Sequence, residues 1–277
     1  KVLHDKFNTV VQFMQQNFSI EATELRLYNP LLKFIAGAIS HYNNIDVKLY
    51  DFLRVWFWNT LLKNRYPGAQ SERIEKDFQL LISNSTFEDK LTKIVNETTR
   101  NFEYLSSNSY SNPKYFDAYY SNRSQQIYRG MLLLLKSKGA KDFYNGFTPL
   151  KSVSNENKLE EHHIFPKNSK IGKEIVKKYE NDKYDDIINN ISNIALITKK
   201  TNNQKIGSKP PSEYITDFEN EYKIANKHNE FIQIMETQFI SVDMIEMLKK
   251  DDFENFILAR TKLIYEKLEL LCGNKKQ

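Results

Sequence analysis

Glu160-Glu161-His162-His163-Ile164-Phe165-Pro166 and Asn193-Ile194-Ala195-Leu196-Ile197-Thr198-Lys199-Lys200-Thr201-Asn202-Asn203-Gln204-Lys205 are the stretches that interrupt an otherwise helical pattern. Residues 159–165 predict a short strand. Residues 191–198, β-branched and preceded by Asn189-Asn190, predict a second. Neighbours on a strand point to opposite faces, so His162 and His163 do not naturally chelate one ion from the same side. A divided role fits better: one imidazole binds metal and the other acts on water, as a neutral histidine with a pKa near ~6.5 does well.

Outward from these strands the periodicity is helical. The chain has 277 residues but only 8 Gly and 7 Pro, too few for the turn-dense spacing of a sandwich or barrel. Leu3, Phe7, Val10, Val11 and Met14 recur at three- and four-residue spacing through Val2–Phe18. Similar stripes run through residues 30–41, 47–66, 71–82, 87–104 and 124–138. Asp46 and Ser71 suit N-caps, Pro30 a first helical turn, and Pro67-Gly68 a stop. Residues 104–123, rich in Ser, Asn and Tyr, read as a long loop. Between the strands, Ile171, Ile175 and Tyr179 share a helical face, and from Ser212 the helical period returns to the end. The expected fold is mostly α: a helical bundle-like domain over 1–150, a small two-strand-plus-helix module over 151–215, and C-terminal helices over 216–277 packing on the rest.

Charge and cysteine usage narrow the classes. Lys and Arg number 40 against 35 Asp and Glu, a net charge of +5, which leans towards anionic partners. Residues 1–150 carry +5, 151–215 carry +3 and 216–277 carry −3, so the tail is a poor nucleic-acid surface. The single Cys272 excludes an internal disulfide framework and a cysteine-cluster zinc site, and fits a cytoplasmic location. No apolar run approaches the roughly 20 residues of a membrane span. Residues 1–16 lack signal-peptide features, and a start at Lys1 reads as a position inside a longer gene product.

Hydrolysis of a phosphodiester has the two-part requirement that the paired histidines suggest. A divalent cation stabilises charge on the phosphoryl oxygens and the leaving 3′-oxygen, while a separate base takes a proton from the attacking water. Imidazole, amide oxygen and waters make an open, mixed N/O site that suits Mg²⁺, Mn²⁺ or Ni²⁺ better than a closed structural zinc site.

The segment resembles the HNH (ββα-metal) nuclease motif: a ligand, then His and a nearby Pro on the first strand, Asn on the second, a further ligand nine residues on, and Lys three beyond. Asn193, Asn202 and Lys205 have that spacing. The resemblance implies His162 and Asn202 as metal ligands, His163 as general base, Asn193 as the residue that pins the loop orienting His163, and Lys205 as a phosphate contact. The position four after Asn202 is Ile206, which cannot bind metal; either two protein ligands plus water suffice, or Glu160 contributes. Lys199, Lys200, Lys205 and Lys209, a cluster without acidic neighbours in sequence, are candidate DNA contacts.

His162-His163-Ile164-Phe165-Pro166-Lys167 with Lys209-Pro210-Pro211-Ser212-Glu213-Tyr214 is similar to the C-terminal HNH domain of GmrSD-type modification-dependent restriction proteins. Val55-Trp56-Phe57-Trp58, Asn64-Arg65-Tyr66-Pro67-Gly68-Ala69, Lys76-Asp77, Leu132–Leu135 and Ala140-Lys141-Asp142-Phe143 resemble the helical region before that domain. The similarity covers roughly residues 50 to 215. It implies an endonuclease portion of an anti-phage restriction protein acting on DNA, modified phage DNA included, with one divalent metal, Mg²⁺ first. The family's ParB-like NTPase domain, with its Asp-Gly-Gln-Gln-Arg signature, has no counterpart in these residues. One such site cuts one strand, so a double-strand break needs a homodimer or two successive events. The competing function is a catalytically weak DNA-binding and oligomerisation module that requires the ParB-like domain.

Other conspicuous residues have plainer roles. Trp56, Trp58 and Leu132 to Leu135 read as core. His4, His41 and His228 are isolated, Cys272 carries no assigned role, and Asn202 also suits a helix N-cap.

Overall fold

The computed structural model describes residues 2–42, 44–62, 65–66, 70–96, 126–150, 156–180 and 187–273. Among them the chain is mostly helical, with one two-stranded antiparallel sheet. By its contacts it divides into two compact units, Lys1–Phe102 with Lys267–Gln277, and Glu103–Glu266.

The first unit holds α1 (Val2–Phe18), a 3-10 helix (Ala22–Tyr28), α2 (Asn29–Tyr42), α3 (Val47–Leu62), α4 (Gln70–Ile82) and α5 (Phe87–Asn96). Asp46 caps α3 as its sequence suggests, Oδ1 accepting from the Leu49 amide at 2.8 Å. Ser71, expected as a cap, lies inside α4, which begins one residue earlier. The tryptophans are core: Trp56 stacks on Phe34 with centroids 3.9 Å apart, and Phe57 stacks on Phe18 at 3.6 Å. A Cβ on Gly37 would meet the Phe78 ring at 2.8 Å, so α2 and α4 approach closely only because that side chain is missing. Arg65, Tyr66 and Asp77 are buried together, the Arg65 guanidinium gripping the Asp77 carboxylate at 2.7 and 2.5 Å while the Tyr66 hydroxyl donates to it at 2.6 Å.

The second unit holds α6 (Gln126–Ser137), β1 (Leu159–His163), α7 (Lys170–Tyr179), β2 (Ile194–Thr198), α8 (Pro211–Ile224), α9 (His228–Thr237), α10 (Val242–Lys249) and most of α11 (Phe253–Leu271). Thus α6 and residues 139–150 group with the strands, as do α8 to α10. β1 and β2 pair from Leu159↔Thr198 to His163↔Ile194. The second strand is shorter than its composition suggests. Ile191–Asn193 forms a 3-10 turn instead, because the Asn190 side chain accepts from the Ser192 amide at 2.9 Å and ties the backbone into a turn. Ile164, Phe165, Ala195 and Ile197 share one core with Tyr214, Phe231, Met244 and Phe256 from α8 to α11.

A two-stranded sheet leaves open edges, and here side chains close one. The Gln238 amide donates to the Leu196 carbonyl at 2.6 Å and accepts from its N–H at 3.2 Å, imitating a third strand. Beside it, the buried Arg260 guanidinium donates to the carbonyls of Ser192, Ile194 and Gln238 at 2.7 to 3.0 Å. Burial pulls its pKa down to about 9. Residues 104–123 and Pro67-Gly68 lie outside the described residues.

Candidate active site

β1 alternates, so Glu160 and His162 share one face and Glu161 and His163 the other. Each histidine meets a different asparagine. His162 Nδ1 is 2.8 Å from Asn202 Oδ1, on the turn that follows β2. His163 Nε2 is 2.8 Å from Asn189 Oδ1, on the turn that precedes it. An amide oxygen only accepts, so both imidazole nitrogens are N–H donors, which leaves the lone pair on His162 Nε2 and on His163 Nδ1.

The Asn202 amide is oriented from behind. Its Nδ2 donates to Glu160 Oε2 at 2.7 Å, which turns the carbonyl oxygen towards His162. Glu160 therefore stands here as the group that aims Asn202. The Asn202 side chain does not cap the helix; that position is Lys200. Nor does Asn202 open an α-helix. Thr201–Ile206 is a π-helical turn, closed by the Gly207 amide donating to the Asn202 carbonyl at 2.7 Å with Gly207 at φ 60. Ile206 is buried in the core.

Asn193 is fully buried and holds two segments together. Its Oδ1 accepts from the Phe165 amide at 2.8 Å, and its Nδ2 donates to the Ile188 carbonyl at 2.8 Å. The strand leaving His163 and the turn carrying Asn189 are thereby fixed to one side chain. Tyr214 supports the same strand, its hydroxyl donating to the Ile164 carbonyl at 2.7 Å and its ring standing edge-on to His162 at 6.1 Å.

Electrostatics keep His162 neutral. Burial, reinforced by the neighbouring His163 and only partly offset by the Asn202 hydrogen bond, lowers its pKa to about 3. Its Nε2 is buried with no hydrogen-bond partner among the described residues. In the other neutral tautomer, with the proton on Nε2, the imidazole would present Nδ1 beside the aimed amide oxygen, a donor pair suited to a divalent cation that keeps waters of its own. No group of three or more His, Cys, Asp and Glu residues gathers to hold a metal among the described residues.

The lysines distribute differently from their sequence pattern. Lys200 lies 3.6 Å from Glu156 and Lys209 2.9 Å from Asp217, so the cluster acquires acidic neighbours through folding. Lys205 Nζ sits 4.1 Å over the Tyr144 ring, and Lys199 is exposed.

Two supporting residues have roles that the sequence does not show. Asn189 sits in a polar pair that reads as a turn. Asp142, fully buried, accepts from the Thr198 amide and hydroxyl at 2.7 and 2.8 Å and from the Thr201 hydroxyl at 2.8 Å, fastening the end of β2 to the start of the π-turn.

The chain is 27% identical over 268 residues to an uncharacterised protein, MJ0686, of Methanocaldococcus jannaschii, matching 90% of this chain. It spans 42% of that relative's length. No family model matches the chain. No solved structure matches it. Among the described residues no helix is long and apolar enough to cross a membrane.

Proposed function

We propose that this chain is the nuclease portion of a bacterial restriction protein that hydrolyses DNA phosphodiester bonds with a divalent cation at an HNH-type site. The observation that carries this reading is the convergence at the strand pair. Asn202 meets His162 across 40 positions of sequence, while Asn193, nine residues before it, holds the backbone that leaves His163.

In this reading His162, with its ring proton moved from Nδ1 to Nε2, and Asn202 Oδ1 would hold the cation between them, with Glu160 keeping the amide oriented. A divalent ion bound there would offset charge on the phosphoryl oxygens and the leaving oxygen. His163 Nδ1 takes a proton from water, the water oxygen forms the new bond to phosphorus, and the bond to the 3′-oxygen breaks. Asn189 holds the imidazolium through Nε2–H, and Lys205 lies on the same π-turn for the phosphate.

The test is nicking of supercoiled plasmid by the chain with Mg²⁺, Mn²⁺ or EDTA. His163→Ala is expected to cut about 10²- to 10⁴-fold more slowly, the usual worth of a general base. Undiminished cleavage by that variant overturns the assignment. His162→Ala and Asn202→Ala are expected to weaken Mn²⁺ binding in calorimetry.

One observation favours the second reading, a catalytically weak DNA-binding or oligomerisation module dependent on a ParB-like domain. The donors at His162 and Asn202 are both neutral, so the chain alone holds a cation weakly. Binding of DNA without cleavage under any of the metals favours that module.

A further inference from the structure

α7 (Lys170–Tyr179) is inserted between the two strands, and nothing in the proposed chemistry uses it. Its seat is rigid. The Ser169 hydroxyl accepts from the Gly172 amide at 3.0 Å, and a Cβ on Gly172 would lie 2.1 Å from the Pro166 carbonyl, so the helix rests directly on the turn after His163. Ile175 is buried, with Ile171, Val176 and Tyr179 packed on the same core, and the Tyr179 hydroxyl donates to Glu254 at 2.6 Å.

The outer face is basic. Lys167, Lys170, Lys173 and Lys177 are exposed, and no ion pair engages them among the described residues. Lys178, one residue on, is neutralised by Glu254. On α8 and α10 and in the segments before α8 and α9 the pattern is the opposite: Lys209, Lys223, Lys227 and Lys249 all have carboxylate partners. Nor does the stripe serve the helix, because Lys170 and Lys173 lie at its N-terminal end, where the backbone dipole disfavours cations. At 100° per residue Lys170, Lys173 and Lys177 fall within about 60° of the circumference and span about 10.5 Å of the axis. A row of ammonium groups on a fixed rod, without carboxylate partners among the described residues, matches a line of repeated anions.

We propose that the Lys170, Lys173 and Lys177 face of α7 is a docking surface for the phosphate backbone of duplex DNA. The choice of DNA rests on the nuclease reading, since the helix is bracketed by the turn after His163 and the segment returning to Asn189. Its contacts are to phosphate, so it supplies affinity without sequence preference.

The experiment is fluorescence anisotropy of the full chain with a labelled 20-base-pair duplex in EDTA, titrated across KCl concentrations. Replacing Lys170, Lys173 and Lys177 together by Gln is expected to reduce the slope of log K against log salt by about 2.7, and Glu174→Lys to steepen it by about 0.9. All four side chains are exposed, and cooperative unfolding with the native dependence on urea confirms that the fold is intact. A wild-type slope in the triple variant overturns the proposal, as does failure of the wild-type chain to bind duplex. The same proteins are assayed for Mn²⁺-dependent nicking. The expected slope change without cleavage upholds this surface and removes the nuclease reading; cleavage with an unchanged slope does the reverse.

Discussion

Two buried polar clusters in this chain, one in each unit, are built on opposite plans. Around Asp77 two charges of opposite sign are brought together in bidentate geometry, and a phenol donates to the same carboxylate. Burial, then the Asp77 charge, pushes the Tyr66 phenol far up, so it stays a donor. Around His162 the buried group is neutral, its partner is a neutral amide, and one ring nitrogen has no hydrogen bond among the described residues. The first cluster is closed and has nothing left to offer a ligand. In the second, a buried acceptor without a donor carries a desolvation cost that ordinary folding removes, and sites that retain such costs are functional candidates.

The largest expected effect tests the closed side. Asp77→Ala leaves the Arg65 guanidinium buried without its counter-charge and is expected to cost about 3 to 5 kcal/mol in urea unfolding. Replacing both partners, Arg65→Met with Asp77→Leu, is expected to recover most of that loss, because the pair offsets its own desolvation more than it adds stability. If the double variant is as unstable as the single one, the cluster is more than a closed ion pair.

What sequence reveals of these clusters follows the range of the interactions. Local patterns are legible. The apolar stripe of Val2–Phe18 is α1 residue for residue, the Ile171, Ile175 and Tyr179 face is α7, and the spacing of Asn193 and Asn202 puts both at the strand pair. Partners supplied from far along the chain are not. Gln238 and Arg260 read as unremarkable polar residues of a tail, yet they close the edge of β2 from 42 and 66 positions away. The lysine cluster misleads for the same reason, since Glu156 and Asp217 reach Lys200 and Lys209 only after folding. A π-turn at Thr201–Ile206 has no composition of its own; it forms because Thr201 is fastened to Asp142 while Asn202 is drawn to His162 and Glu160.

A middle-sized effect tests the open side through pH. The His162 pKa is about 3 when folded and near 6.5 when unfolded, so between these values the unfolded chain binds the extra proton. Stability from this group is therefore full above about pH 6.5 and falls as pH drops, by up to about 1.4 kcal/mol per pH unit. Urea unfolding at pH 5, 6 and 7 is expected to show His162→Gln with a shallower pH slope than the native chain. Parallel slopes mean that His162 is not held neutral by burial.

The smallest expected effect separates the two histidines from each other. His162 owes its state to burial, whereas half-buried His163 hydrogen-bonds through Nε2 to Asn189, itself held in place because Asn193 grips the preceding Ile188 carbonyl. Asn189→Ala removes the acceptor at Nε2 while the Asn193 anchor on the Ile188 carbonyl remains. One neutral hydrogen bond of this kind is worth about 1 kcal/mol, which corresponds to a loss of about five- to tenfold in nicking rate. Nitrogen NMR of the imidazole reads the cause directly. In the native chain the proton is expected on Nε2, and in Asn189→Ala the two tautomers mix; Asn189→Asp restores an acceptor and with it the Nε2–H form. A slower variant whose tautomer is unchanged assigns Asn189 to the support of the turn, because a merely structural role leaves the proton on its original nitrogen.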